Sequence, residues 1–189
     1  PRTADPLGNR RYWPIYEDAE KLDFMIGVHA TVRGPHYFAV DMFDQFIEVH
    51  TLSHAFAQMM HCTSLMFRGV VEQFPKLRVA FLENRVAWVT YWMDYLDAKW
   101  DKRRADAPLL KRKPSAYMTG GNFFYSAEPE EKALPHVLER IGEDLIVFAT
   151  DYPHSGSAFT ADLLDRHDIS DGAKKKILHD NGIRLFGWN

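Results

Sequence analysis

Leu145-Ile-Val-Phe-Ala149 is an unbroken apolar run that ends in Thr150-Asp151. Being short and without polar alternation, it has the form of a strand buried on both faces, the kind found in parallel sheets. The same form recurs upstream. Arg78-Val-Ala-Phe-Leu82 ends at Glu83, Phe24-Met-Ile-Gly-Val28 ends at His29, and Asn122-Phe-Phe-Tyr125 makes a shorter candidate between them and the last.

Helical patterns separate these runs. Ile15, Ala19 and Leu22 recur at helical spacing before the first strand. A long helical region then covers about Met42 to Gln73, with Phe43, Phe46, Ile47, Phe56, Met59, Met60, Leu65 and Met66 on its apolar faces, until Phe74-Pro75 stops it. Trp88 to Arg104 follows the second strand, with Trp92, Tyr95, Leu96 and Trp100 on one side. The next helix is predicted to take Ser126 as its N-cap, open near Pro129 and close at Gly142. The last starts near Ser170 or Asp171 and is predicted to stop at Asn181-Gly182. One helix followed by four strand–helix units gives an α/β fold with a helix-covered parallel sheet. An eight-unit barrel needs about 250 residues, roughly 31 per unit. Here four strands use nearly all of 189 residues. The expectation is therefore a single domain over residues 1–189 that forms the later part of a barrel, its amino-terminal half lying outside a sequence that opens on Pro1.

The composition, 46% hydrophobic and 14% aromatic, supplies one sizeable core. A net charge of −3 leaves no basic surplus for nucleic acid or anionic lipid. No apolar stretch reaches the roughly 20 residues of a membrane span, and the first ten residues carry Arg2, Asp5 and Arg10 rather than a signal-peptide core. With Cys62 as the one cysteine, a reducing, cytoplasmic setting is expected; a homo-oligomer is expected as a separate matter.

Active sites of parallel α/β folds lie at the carboxyl ends of the strands. His29, Glu83 and Asp151 occupy three of these four ends. An imidazole and carboxylates are ligands for a catalytic divalent ion, zinc in the first instance, and such an ion lowers the pKa of bound water to about 7. Each residue alone has an ordinary alternative: a hydrogen-bonded loop histidine, a salt bridge from Glu83 to Arg85, a turn aspartate before Pro153. Their joint placement favours chemistry. His50, His54 and His61 share a helical stripe, for which a structural role on the helix face is the ordinary reading; of the three, His54 is the preferred substrate contact. His154, three residues after Asp151, is a candidate for the pocket mouth, with a turn-stabilising role as its alternative. Arg33 and His36 lie in the loop after the first strand, where a carboxylate-bearing substrate would be held, although a solvated loop accounts for both. Trp88, Trp92, Tyr95 and Trp100 read as packing or subunit interface, Lys111-Arg-Lys113 as a solvated loop, and Cys62 as inert core.

Three stretches carry a more specific likeness: Phe74-Pro-Lys-Leu-Arg-Val-Ala-Phe-Leu-Glu83 with Trp88 after it, Ala149-Thr-Asp151-Tyr-Pro-His154, and Asp180-Asn181-Gly-Ile-Arg-Leu-Phe186-Gly. In order and spacing, from about Tyr12 onward, the chain resembles the amidohydrolase superfamily, in the amidohydrolase 2 branch that contains aminocarboxymuconate-semialdehyde decarboxylase. The resemblance implies a TIM (β/α)₈ barrel with one or two divalent metals, of which this chain matches the later strands. It implies His29 as the metal-binding histidine of the fifth strand and Asp151 as the eighth-strand aspartate that touches metal and helps activate water. Glu83 falls where the decarboxylase carries a catalytic histidine, a departure that leaves the proton-transfer step open. The His-x-His pair of the family's first strand is absent. The expected activity is that of a metal-dependent hydrolase or decarboxylase acting on a small carbonyl- or carboxylate-bearing substrate; the alternative is a non-catalytic barrel remnant that binds or scaffolds.

Overall fold

The computed structural model describes residues 5–29, 42–153 and 160–188. At its centre is a four-stranded parallel sheet in the order β1 (Ile26–His29), β2 (Val79–Leu82), β3 (Phe123–Ala127) and β4 (Ile146–Phe148). Each crossover advances by one strand, the progression from which barrels are built. The helices are α1 (Trp13–Lys21), α2 (Phe46–Phe67), α3 (Val70–Gln73), α4 (Trp88–Arg103), α5 (Pro114–Met118), α6 (Leu134–Ile141), α7 (Thr160–Leu164), α8 (Asp171–Lys175) and α9 (Asn181–Phe186). A π-helical turn over Lys176–Asp180 joins the last two.

The pleat sorts the strand residues between two faces. Val28, Phe81, Tyr125 and Ile146 stand in one row of paired residues and are buried under the helices. Phe81 stacks on Tyr125 at 5.8 Å and meets the edge of Trp88 at 5.6 Å. Each such side chain taken out of water contributes about 1.5–3 kcal/mol. On the opposite face, Ala80, Phe124 and Val147 pack against Leu185 of α9.

The carboxy-terminal segment closes the amino end of the sheet. Arg78 Nε donates to Leu185 O at 2.8 Å and Arg184 Nη1 to Asp144 O at 3.0 Å. Asn181 Nδ2 donates to the carbonyls of Glu143 and Ile146, at 2.7 Å each. All these anchors sit where β2 and β4 begin. The carboxyl ends of the strands remain for chemistry.

Several sequence expectations are corrected. The last helix does not stop at Asn181-Gly182, because the Asn181 side chain is buried and engaged by β4. It runs on to Phe186, and Gly187, left-handed at φ 69°, ends it. Ser170 does cap the segment, accepting from Ala173 N at 3.1 Å. Ser126 is no cap; it is a buried residue of β3. The long middle helix breaks at Gly69, left-handed at φ 75°. β1 is not buried on both faces: Val28 alone among its residues is buried, and Phe24 before it is 64% exposed. Among the described residues β1 pairs with β2 only and β4 with β3 only, so both outer strands have open edges. Tyr16 and Ala19 are the buried face of α1, whereas Ile15 and Leu22 are exposed. No helix among the described residues is long and apolar enough to cross a membrane.

Candidate active site

β1 and β2 end side by side, with His29 paired to Leu82 in register. Glu83, the next residue, leaves the strand with φ 59°, in the left-handed region that costs a residue with a side chain roughly 1–2 kcal/mol. This turn brings its carboxylate back over the sheet end. There Oε2 contacts His29 Nε2, and Oε1 lies 3.7 Å from His54 Nε2 on α2. The three side chains run from solvent inward: His29 is 54% exposed, Glu83 26% and His54 12%.

The His54 tautomer follows from its other nitrogen. Nδ1 lies 2.9 Å from the carbonyl of His50, which accepts only, so Nδ1 carries a hydrogen. In the neutral ring Nε2 is then a lone pair turned toward Glu83 Oε1, and the two attract only with a proton on one of them. His50 stacks on this ring at 4.3 Å and fixes its plane. A carboxylate flanked by two imidazoles, one of them oriented from behind, can hold and pass a proton.

The ordinary alternative for Glu83 does not hold. Arg85 Nη2 is taken by Glu128 and Glu130, at 3.1 Å each. Asp151 lies at the same end of the sheet, beyond β4, and is exposed, with β3 between its strand and that of Glu83. Like Glu83 it is left-handed, at φ 55°. Strained residues of this kind collect at functional sites. Arg33, His36 and His154 lie outside the described residues. His61 is no part of this group; it is buried, with Nδ1 accepting from Leu7 N. Cys62 is fully buried, and burial pushes its thiol up. Trp88 and Trp100 belong to the core.

Two buried residues at this end were not legible as site residues in the sequence. Gln58, one turn after His54, donates from Nε2 to Val28 O at 3.0 Å and Leu82 O at 2.7 Å. Ser126 Oγ accepts from Glu83 N at 3.0 Å. The i, i+4 spacing of His54 and Gln58 was a usable signal for the first. Ser126 carried a capping signal that placed it on the wrong element.

For a divalent ion, the donors have suitable chemistry, an imidazole nitrogen in His29 and carboxylate oxygens in Asp151 and Glu83. Their number is incomplete: among the described residues no three His, Cys, Asp or Glu side chains group so as to hold an ion.

A family model described as amidohydrolase matches residues 1–188. The chain belongs to the amidohydrolase family. Gamma-resorcylate decarboxylase of Polaromonas sp. (strain JS666) is 28% identical to it over 201 residues, covering 100% of this chain and 59% of the relative. The protein of the same name from Rhizobium sp. (strain MTP-10005) is 24% identical, over 93% of this chain and 54% of its own length. Among solved structures, 5-carboxyvanillate decarboxylase from Sphingomonas paucimobilis matches with a TM-score of 0.81 at 20% identity, over 97% of this chain and 55% of that one. A dihydroxybenzoic acid decarboxylase from Polaromonas sp. JS666, solved with bound manganese and the inhibitor 2-nitroresorcinol, gives 0.76 at 24%, over 98% and 57%. This amidohydrolase chain thus spans 54–59% of the length of these curated relatives, and its four strands are part of the family's barrel.

Proposed function

We propose that this amidohydrolase chain carries the proton-transfer half of the active site of a metal-dependent decarboxylase acting on a small aromatic carboxylate. The observation that carries the proposal is Glu83, held at the carboxyl end of β2 between His29 and His54. The decarboxylase names of the relatives favour carboxylate loss over hydrolysis. The non-catalytic alternative leaves that arrangement without a purpose.

Loss of CO₂ breaks one carbon–carbon bond and leaves its electron pair on the ring carbon, which must take up a proton. The Glu83 carboxyl supplies that proton; one proton from solvent, taken up first by the His54 Nε2 lone pair and passed to Glu83, restores it. His29 and Asp151 would hold the divalent ion, zinc or the manganese bound in several neighbouring structures. Held there, such an ion would supply Lewis-acid polarisation of a bound carboxylate substrate. Arg33, His154 and His54 are proposed to line the substrate's place. The complete barrel requires four further strand–helix units, on which the remaining metal donors would stand, and Cys62, buried as a free thiol, suits a cytoplasmic protein.

Glu83→Gln in the full-length protein tests the proposal. Turnover of aromatic carboxylates such as 2,6-dihydroxybenzoate should fall by about 10²–10⁴-fold, with metal content and melting temperature kept. Loss of the metal would instead make Glu83 a ligand. Full metal with near-normal turnover would remove Glu83 from the chemistry.

A further inference from the structure

Gln58 and Ser126 act on the same peptide. Leu82 C=O and Glu83 N–H belong to one amide; Gln58 Nε2 donates to its oxygen at 2.7 Å, and its N–H donates to Ser126 Oγ at 3.0 Å. Gln58 and Ser126 come from opposite directions, the one from α2 and the other from β3. The second hydrogen of Gln58 Nε2 goes to Val28 O, at 3.0 Å, which is the carbonyl of the peptide that begins His29. Because both partners accept only, the amide cannot be turned over. Gln58 Oε1 is therefore left buried and, among the described residues, without a partner.

A buried orphan acceptor costs about 1–3 kcal/mol; Met or Leu would remove it, and would remove both bonds from Gln58 Nε2 with it. Stability alone does not single out glutamine here. Its use is geometric. One nitrogen ties together the peptides that precede His29 and Glu83, and the serine holds the second of them from behind. The left-handed turn at Glu83 is thus over-determined by hydrogen bonds, as a strained residue at a working site must be.

We infer that Gln58 and Ser126 form a two-sided clamp that sets the distance between His29 and Glu83, and that both are positioning residues of the proposed reaction. The clamp rests on the proposed function for its kinetic consequence, while its geometry stands on the hydrogen bonds alone. A misplacement of about 1 Å costs up to about 10²-fold in rate.

The test is a set of full-length variants, Gln58→Met, Ser126→Ala and the pair, each crystallised and assayed with the same aromatic carboxylates. The expected structures show His29 and Glu83 parted beyond about 4 Å, the limit of an ion pair. Expected kinetics are a fall in kcat of about 10–100-fold with KM within about twofold, and a double variant no worse than the more damaged single, since both residues hold one peptide. Unchanged His29–Glu83 contact and Glu83 backbone in Gln58→Met and Ser126→Ala would overturn the clamp, as would a lowered melting temperature with kcat kept. Should Gln58→Met fail to fold, Ser126→Ala, which removes one oxygen, decides the matter. If the wild-type protein turns over no such substrate, the proposed function fails, and the crystal structures by themselves judge the clamp.

Discussion

His61 makes the fold sensitive to acid, and its environment gives the size of the effect. The ring is 1% exposed in α2, and burial lowers its pKa from 6.5 to about 4. Leu7 N donates to Nδ1 at 3.3 Å, so the neutral ring carries its hydrogen on Nε2, which is buried without a partner among the described residues. A second proton, on Nδ1, would face the Leu7 N–H and break that bond. The neighbouring ties, Gly8 N to Ser64 Oγ at 3.0 Å and Tyr16 OH to Leu7 O at 2.6 Å, would then hold the amino-terminal segment alone. In the unfolded chain the same histidine protonates first, near 6.5, so as pH falls the unfolded state binds the extra proton and gains on the folded one. The contribution is whole above 6.5 and is lost as pH drops toward about 4. The full gap is worth about 3 kcal/mol, of which about 2 kcal/mol is gone by about pH 5. His61→Asn keeps an acceptor on the branch that faces Leu7 and removes the titration. Urea unfolding of both proteins between about pH 7.5 and 5 should show the wild-type midpoint falling by about 1 M more than that of the variant. Curves that stay parallel across that range would refute the assignment of His61 as a buried neutral ring.

Gly69→Ala should cost about 2–4 kcal/mol, because the position is left-handed and a Cβ there would come within 2.5 Å of Leu109 Cβ. Thermal melts of that variant and of Gly69→Ala with Leu109→Gly, each against its own Gly69 parent, should show partial recovery in the pair, since loss of the Leu109 Cβ relieves the clash and not the backbone; no recovery would place the whole cost in the backbone. Glu131, 3% exposed, accepts from Val86 N at 2.9 Å and Glu128 N at 3.0 Å and ties together the loops after β2 and β3. Glu131→Ala should lower stability by about 3 kcal/mol by leaving both donors unpaired. Burial raises the pKa of this carboxyl, against the opposing pull of those N–H groups. Its contribution is therefore present at low pH and declines as pH rises through its folded pKa, so the gap between variant and wild type should narrow on the way up; a gap that widens would contradict the burial.

The sequence by itself determined the parallel strand–helix order and the strand ends on which His29, Glu83 and Asp151 stand. Both are local properties: a short apolar run without polar alternation reads as a strand of a parallel sheet, and the residue after it emerges at the carboxyl end. The likeness carried by Phe74–Glu83 and Ala149–His154 pointed to the amidohydrolase family from the same local text. Tertiary structure decided what depends on residues distant in the chain. That β1 has an exposed face is set by what packs against the sheet, which no run of residues 24–28 records. That Asn181 anchors a helix rather than ending it depends on the carbonyls of Glu143 and Ile146, 38 and 35 residues away. Arg85, two residues from Glu83, pairs instead with carboxylates from the loop after β3, and Gln58 reaches strand ends 30 and 24 residues off. Hydrogen bonds of that span are fixed by where helices lie against a sheet. Local pattern specifies which face of an element is apolar, but it says nothing of which polar group on another element will stand opposite.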